Sequence, residues 1–156
     1  MITLGTIRLA DVNDSNEIEK LIEVMIGDKN PKETAKFVTN DFFKNNKFKS
    51  FVIEIANTVV GFGVLKFDSF EGANGIAELV FLGIEKQHKR NALGTELVKH
   101  IEKYALESKI RKIYVKTSPN NNIANCFWIM QNYKFEARMR DFSFKSHDDY
   151  YLGKDI

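Results

Sequence analysis

Between Ile76 and Ile84 the chain reads IAELVFLGI, apolar at almost every position. It then turns polar and basic through Glu85–Asn91, and apolar residues recur at Leu93, Leu97, Val98 and Ile101. A run without alternation is the pattern of a strand buried on both faces. Spacings of three and four after it predict an amphipathic helix. Upstream, Thr3–Leu9 alternates enough for a first strand. Asp11 or Asn13 is placed to cap a helix whose Ile18, Leu21, Ile22 and Met25 fall on one stripe. Asn30-Pro31-Lys32-Glu33 opens a second helix, with Asn as cap, Pro at the first helical position and Glu two residues later. That helix carries Phe37, Val38 and Phe42 and ends near Asn45-Asn46.

Ser50–Ala56 and Val59–Phe67 flank Asn57-Thr58 and read as a hairpin. Gly61 and Gly63 in its second arm suggest a bend or a close backbone approach. A Gly-containing turn, Glu71–Gly75, leads into the apolar strand. After the helix that follows it, Lys112–Thr117 reads as a short strand, and the loop Ser118–Asn121 leads to a helix over Asn122–Gln131. Asn132 suits a left-handed C-cap. Tyr133–Phe144 and Asp149–Leu152 form a closing pair of strands. The order β-α-α-β-β-β-α-β-α-β-β belongs to an α+β, or mixed α/β, chain.

At 156 residues, with 44% hydrophobic and 28% charged content, the chain fits one domain spanning residues 1–156. A net charge of +2 is too small to argue by itself for a nucleic-acid or membrane partner. One cysteine cannot form an internal disulfide, and no Cys or His spacing suits a metal, so no metal site is expected. Cys126, on a helix with nothing basic beside it, reads as a buried packing residue. The N-terminal stretch lacks the basic start and apolar centre of a signal peptide, and the apolar runs are too short to span a bilayer. A cytoplasmic location is the resulting expectation.

Candidate chemistry concentrates where the apolar strand meets its helix. A helix start presents unpaired N–H groups and partial positive charge. Small residues at Ala92-Leu93-Gly94 let an anion approach the backbone, and Lys86, Lys89 and Arg90 add charge just before it. The unit suits the phosphates of a cofactor. The 86–90 loop could also touch nucleic acid, but it lacks interleaved aromatics and a wider basic stripe.

In register, Lys89-Arg90-Asn91-Ala92-Leu93-Gly94 resembles the Q/R-x-x-G-x-G/A cofactor loop of the GNAT superfamily of acetyl-CoA-dependent N-acetyltransferases. Lys89 replaces Gln or Arg and lacks the planar fork of Arg. Ala92 replaces the first Gly, and as a good helix former it is expected to keep the approach close. A second block, Asn121-x-x-Ala124-x-x-x-Trp128 followed by Asn132-Tyr133, is similar to the family's N-x-x-A-x-x-x-Y…G-F signature. The likeness runs from Ile7 to Leu152. It implies a central, mostly antiparallel sheet of about seven strands, splayed between strands 4 and 5, with about four flanking helices. It also implies acetyl-CoA as co-substrate. The strand end Leu82, Gly83 and Ile84 would contact it, as would the loop and helix start Lys89, Arg90, Asn91, Ala92, Leu93, Gly94 and Thr95. Asn121, Ala124 and Trp128 would complete that set.

The same resemblance implies direct attack of an amine on the thioester, with a base for the ammonium and a backbone N–H for the oxyanion. Ile84 is the expected backbone contact. Glu78 is the candidate base, expected on the same pleat face as Ile84 because the two are an even number apart. The plainer reading of Glu78 is an ion pair with a neighbouring Lys. Asp68, Glu71 and His88 are alternatives. Trp128 stands where the family often has an acidic Tyr, and indole cannot give that proton. An alkyl thiol with a pKa of about 8.5, like that of Cys, lets CoA leave as thiolate. Tyr133 could substitute but reads as a packed aromatic. Phe42, Phe43, Phe48 and Phe70 are expected to line an acceptor pocket, and Asp68, Glu71, Asp148 and Asp149, which also read as ordinary loop residues, would favour a cationic small molecule. The acceptor would be a small amine (a polyamine, an aminoglycoside, an amino-acid derivative) or a protein N-terminus or lysine. Relatives are often dimers, so a homodimer is among the assemblies implied. The eroded loop and missing phenol leave a second reading: a CoA-binding regulatory module without turnover.

Overall fold

The computed structural model describes residues 5–27, 29–67 and 74–156. The start of the first strand read from Thr3, and Asp68, Phe70 and Glu71, lie outside them. The elements are β1 (Thr6–Leu9), α1 (Ser15–Met25), α2 (Pro31–Lys44), β2 (Phe48–Ile55), β3 (Thr58–Phe67), β4 (Ile76–Ile84), α3 (Leu93–Glu107), β5 (Lys112–Thr117), α4 (Asn122–Met130), β6 (Lys134–Phe144) and β7 (His147–Asp155). The seven strands form one sheet in the order β1-β2-β3-β4-β5-β7-β6. Among the described residues only β4 and β5 pair in parallel.

The sheet opens between those two strands. They pair only from Ile76, Ala77 and Glu78 to Lys112, Ile113 and Tyr114. Beyond, β4 follows β3 and β5 follows β7. Just past the last β4–β5 pair, Val64 faces Phe81 while Leu65 faces Leu79, so Val80 is an extra residue in β4. Such a bulge increases local twist and turns the strand end away from its former neighbour.

Each face of the sheet carries its own apolar cluster. Leu93, Leu97, Val98 and Ile101 of α3 pack on Phe51, Leu65, Leu79, Ile113 and Leu152. Ile18 and Ile22 of α1, with Ala35 and Phe42 of α2, pack on Val52, Phe62 and Val64. Consecutive residues of β2 therefore serve opposite layers, as the pleat requires. At the sheet edge, the Arg8 guanidinium grips both oxygens of Asp14 at 2.8 Å and reaches Glu54 at 2.5 Å. It ties β1, the start of α1 and β2 together. Hydrogen bonding from Arg8 holds the buried Asp14 carboxyl below the usual carboxylate range.

Several expectations are corrected. Asp11 caps a 3-10 turn over Val12–Asp14 that precedes α1, in a reciprocal box with Asp14. Asn30 precedes α2 but makes no side-chain cap bond. Phe37 is 76% exposed because the inward stripe of α2 is Ala35, Thr39 and Phe42, and Phe37 lies two residues off it. The β2–β3 turn is Ala56-Asn57, both left-handed (φ 49° and 63°), one residue earlier than read. β7 extends beyond Asp149–Leu152 at both ends. Cys126 is exposed, since the buried side of α4 holds Trp128 two residues on. Asn132 does take the left-handed cap, with φ 67°. Among the described residues no helix is long and apolar enough to cross a membrane.

Candidate functional site

The opening between β4 and β5 faces the start of α3 across a cavity of about 700 Å³. Three segments build it. The first is the end of β4, Leu82, Gly83 and Ile84. The second is the loop and helix start, from which His88, Lys89, Arg90, Ala92, Leu93, Gly94 and Thr95 contribute. The third is α4, with Asn121, Ile123, Ala124, Phe127 and Trp128. Met25, at the end of α1, completes the lining.

On β4 the pairing with β3 decides which groups are free. The Glu85 N–H donates to the Val60 carbonyl at 2.7 Å, and Gly83 pairs with Phe62. Antiparallel pairing alternates, so the N–H groups of Leu82 and Ile84 point away from β3. They face the opening, where β5 no longer pairs. Among the described residues neither has a partner, and they are the backbone donors that an oxyanion or an amide-rich chain would use.

The loop reaches α3 through two left-handed residues, Arg90 (φ 69°) and Ala92 (φ 60°). Ala92 is thus the N-cap outside the helix, not the helix residue expected from its propensity. No side-chain cap bond closes this end, so the first-turn N–H groups stay available beside Lys89 and Arg90. Gly94 keeps the floor low: a Cβ there would stand 3.5 Å from the Phe127 ring and 3.8 Å from Ile84 Cγ1. Asn121 accepts the Ala124 N–H at 3.1 Å, so its oxygen caps α4 and only its amide NH₂ is left for the cavity.

Of the residues expected around a cofactor, all but Asn91 line the cavity. Lys86 does not line it either; it begins a 3-10 turn running to His88, whose Nε2 lies 3.6 Å from Glu85 Oε2. Trp128 is buried between Phe127 and Tyr133, with ring centroids 5.1 and 4.9 Å away. Tyr133 is 2% exposed and does not line the cavity. Burial first, and then the Glu102 carboxylate, pushes its hydroxyl far above the ordinary tyrosine range. It is no substitute acid.

Glu78 is buried, and both of its oxygens are engaged. Tyr114 Oη donates to Oε2 at 2.9 Å and Lys116 Nζ lies 3.2 Å from Oε1. The expected shared face with Ile84 is wrong. The extra residue at Val80 inverts the alternation, so Ala77, Leu79, Leu82 and Ile84 face α3, and Phe81 packs toward the helices α1 and α2. Glu78 and Gly83 therefore share the α1 face. Phe42, Phe43 and Phe48 belong to the core beneath α2, the rings of Phe42 and Phe48 being 5.2 Å apart, and none of them lines the cavity. Asp148 pairs with Arg138 at 2.5 Å, and the buried Asp149 accepts from Ser143 Oγ. Sequence reading missed Met25, Ile123 and Phe127 as cavity residues. Met25 and Phe127 stand at helical spacings that look like ordinary core, and Ile123 is a lone exposed apolar residue in the first turn of α4.

The family model described as the Acetyltransferase (GNAT) family matches residues 15–130, about three quarters of the chain. No curated protein matches the sequence. Many solved structures share the fold. One, from Desulfovibrio desulfuricans and assigned to the GNAT family of acetyltransferases, superposes with a TM-score of 0.85 at 11% identity, covering 97% of this chain and 99% of its own. The ribosomal-protein-S18-alanine N-acetyltransferase of Escherichia coli gives 0.75 at 14% identity, covering 98% and 94%. An aminoglycoside 6'-N-acetyltransferase complexed with coenzyme A gives 0.77 at 15% identity, covering 96% of each chain. At these identities the likeness is one of fold.

Proposed function

The chain belongs to the GNAT acetyltransferase family, and on that premise we propose that it transfers an acetyl group from acetyl-CoA to a primary amine by direct attack. The observation that carries this reading is the opening between β4 and β5, with free N–H groups on β4 and the uncapped start of α3 on one cavity. The pyrophosphate sits on the first turn of α3, flanked by Lys89 and Arg90. The pantetheine arm runs along the open edge of β4, and α4 walls its other side. Ile84 N–H takes the thioester oxygen as charge develops there.

The amine arrives from the α1 face, opposite the cofactor helix. Glu78 lies on that face and takes the ammonium proton through an intervening water. The amine nitrogen then bonds to the carbonyl carbon, the carbon–sulfur bond breaks with its electron pair left on sulfur, and the nitrogen gives up its surplus proton to solvent, leaving the neutral amide and the CoA thiolate. No acid is required, because an alkyl thiol with a pKa of about 8.5 departs readily near neutral pH. The acceptor is a small amine or a protein amine; the two related enzymes named above act on one of each kind.

One observation favours a second reading. Trp128 fills the place of a phenol, and among the described residues no tyrosine lines the cavity. A CoA-binding module without turnover would look the same. Release of CoA thiol from acetyl-CoA, measured with a panel of small amines and N-terminal peptides, separates the two. Amine-dependent release supports transfer. Tight acetyl-CoA binding with no release above the amine-free rate for any acceptor leaves the module.

A further inference from the structure

The cavity draws its walls from both sides of the sheet. Thr95, Ala124 and Trp128 come from the α3 and α4 layer, and Met25 comes from α1 on the other side. A passage therefore crosses the sheet where β4 and β5 have parted. Its far end is shaped by a single pair. Gly83 offers no side chain, and a Cβ placed there would overlap Met25 Sδ and come within 3.0 Å of the Phe62 ring. Met25 occupies the space that a β4 side chain would otherwise fill. Phe62, packed in the core beneath it, forms a rigid backstop, whereas Met25 is 46% exposed and unbranched.

We propose that Met25 sets the length of acyl group this site accepts, passing short acyl-CoA thioesters and stopping longer ones. The inference rests on the proposed acyl transfer and adds its acyl specificity. With the thioester oxygen on a β4 N–H and the cofactor on the α3 side, the acyl carbons extend away from sulfur, through the opening, to the α1 face. The first atoms they meet are Gly83 Cα and the Met25 thioether. An acetyl methyl stops short of the thioether; each added methylene must displace it. The bonds made and broken are those of acetyl transfer, so only the fit of the chain changes.

Calorimetric titration with acetyl-, propionyl- and butyryl-CoA reads the effect without knowledge of the acceptor. The protein is expected to bind butyryl-CoA about tenfold or more weakly than acetyl-CoA, the discrimination a pocket exerts against extra methylenes. Met25→Ala is expected to reduce that ratio to about threefold or less, while Met25→Leu, which keeps the bulk, retains it. Equal affinities for the two thioesters in the unaltered protein, or an unchanged ratio in Met25→Ala, overturns the inference and leaves acetyl transfer standing. Failure of the unaltered protein to bind any of these thioesters overturns both.

Discussion

Ala92→Gly tests the geometry of the cofactor loop through the sign of a stability change. Ala92 sits at φ 60° and ψ 2°, left-handed, immediately before α3. An L-residue with a Cβ pays roughly 1–2 kcal/mol for that conformation. Glycine adopts it freely but loses about 0.4–1 kcal/mol through the greater freedom of its unfolded chain. The difference favours glycine by about 0.5–1 kcal/mol, or a rise of about 1–4 °C in Tm for a chain of this size. Were Ala92 helical, as its propensity alone suggests, the same substitution would cost about 1 kcal/mol and lower Tm. Thermal unfolding followed by circular dichroism, without cofactor, distinguishes the two. A fall in Tm refutes the left-handed turn and, with it, the presentation of the α3 N–H groups derived from it.

Three other substitutions probe separate parts of the structure. Asp14→Asn removes the partner that Arg8 grips twice and is expected to cost about 2–3 kcal/mol in urea unfolding at neutral pH. Because Arg8 lowers the folded-state pKa of Asp14, its contribution is complete above the unfolded value of about 3.9 and is lost as pH falls through the folded one. The gap between the two proteins should accordingly close in acid; a constant gap from pH 7 downward contradicts the pairing. Glu78→Gln should lower kcat for amine acetylation about 10²–10⁴-fold while the Kd for acetyl-CoA, measured separately, stays within about threefold, since Glu78 does not line the cavity; a kcat unchanged by the substitution removes Glu78 as base. Trp128→Ala empties a site buried between Phe127 and Tyr133 and should destabilise by about 3–5 kcal/mol; a loss below about 1 kcal/mol would mean the indole is not packed there.

The strand, loop and helix at the centre of the site were legible because their signals are local. An apolar run, a cluster of cations and spacings of three and four fall in direct succession from Ile76 to Ile101. Element order followed from the same patterns, and with the family likeness it gave the sheet that opens between β4 and β5. The bulge at Val80 left no such mark. Valine is what any buried strand position holds, so counting residues by two from Glu78 to Ile84 put them on one face when the fold puts them on opposite ones. Met25 was hidden for another reason. It continues the stripe of Ile18 and Ile22, and only the position of the α1 terminus over Gly83 turns a core-like residue into a cavity wall. Phe42 and Phe48 erred in the opposite direction, since aromatic residues near a cleft in sequence proved to pack against each other. Ala92 shows propensity overruled by a turn.

The most direct test of cofactor binding at the α3 start is calorimetric titration with acetyl-CoA of the unaltered protein, of Gly94→Ala and of Gly94→Glu. A Cβ at Gly94 meets only ordinary contacts at 3.5 Å or more, so the alanine variant controls for bulk and the glutamate places a negative charge where the pyrophosphate belongs. Micromolar binding that survives Gly94→Ala within about tenfold and is lost in Gly94→Glu is the predicted result. Binding by all three proteins alike would put the cofactor elsewhere, and no binding by the unaltered protein would contradict acetyl-CoA as its co-substrate.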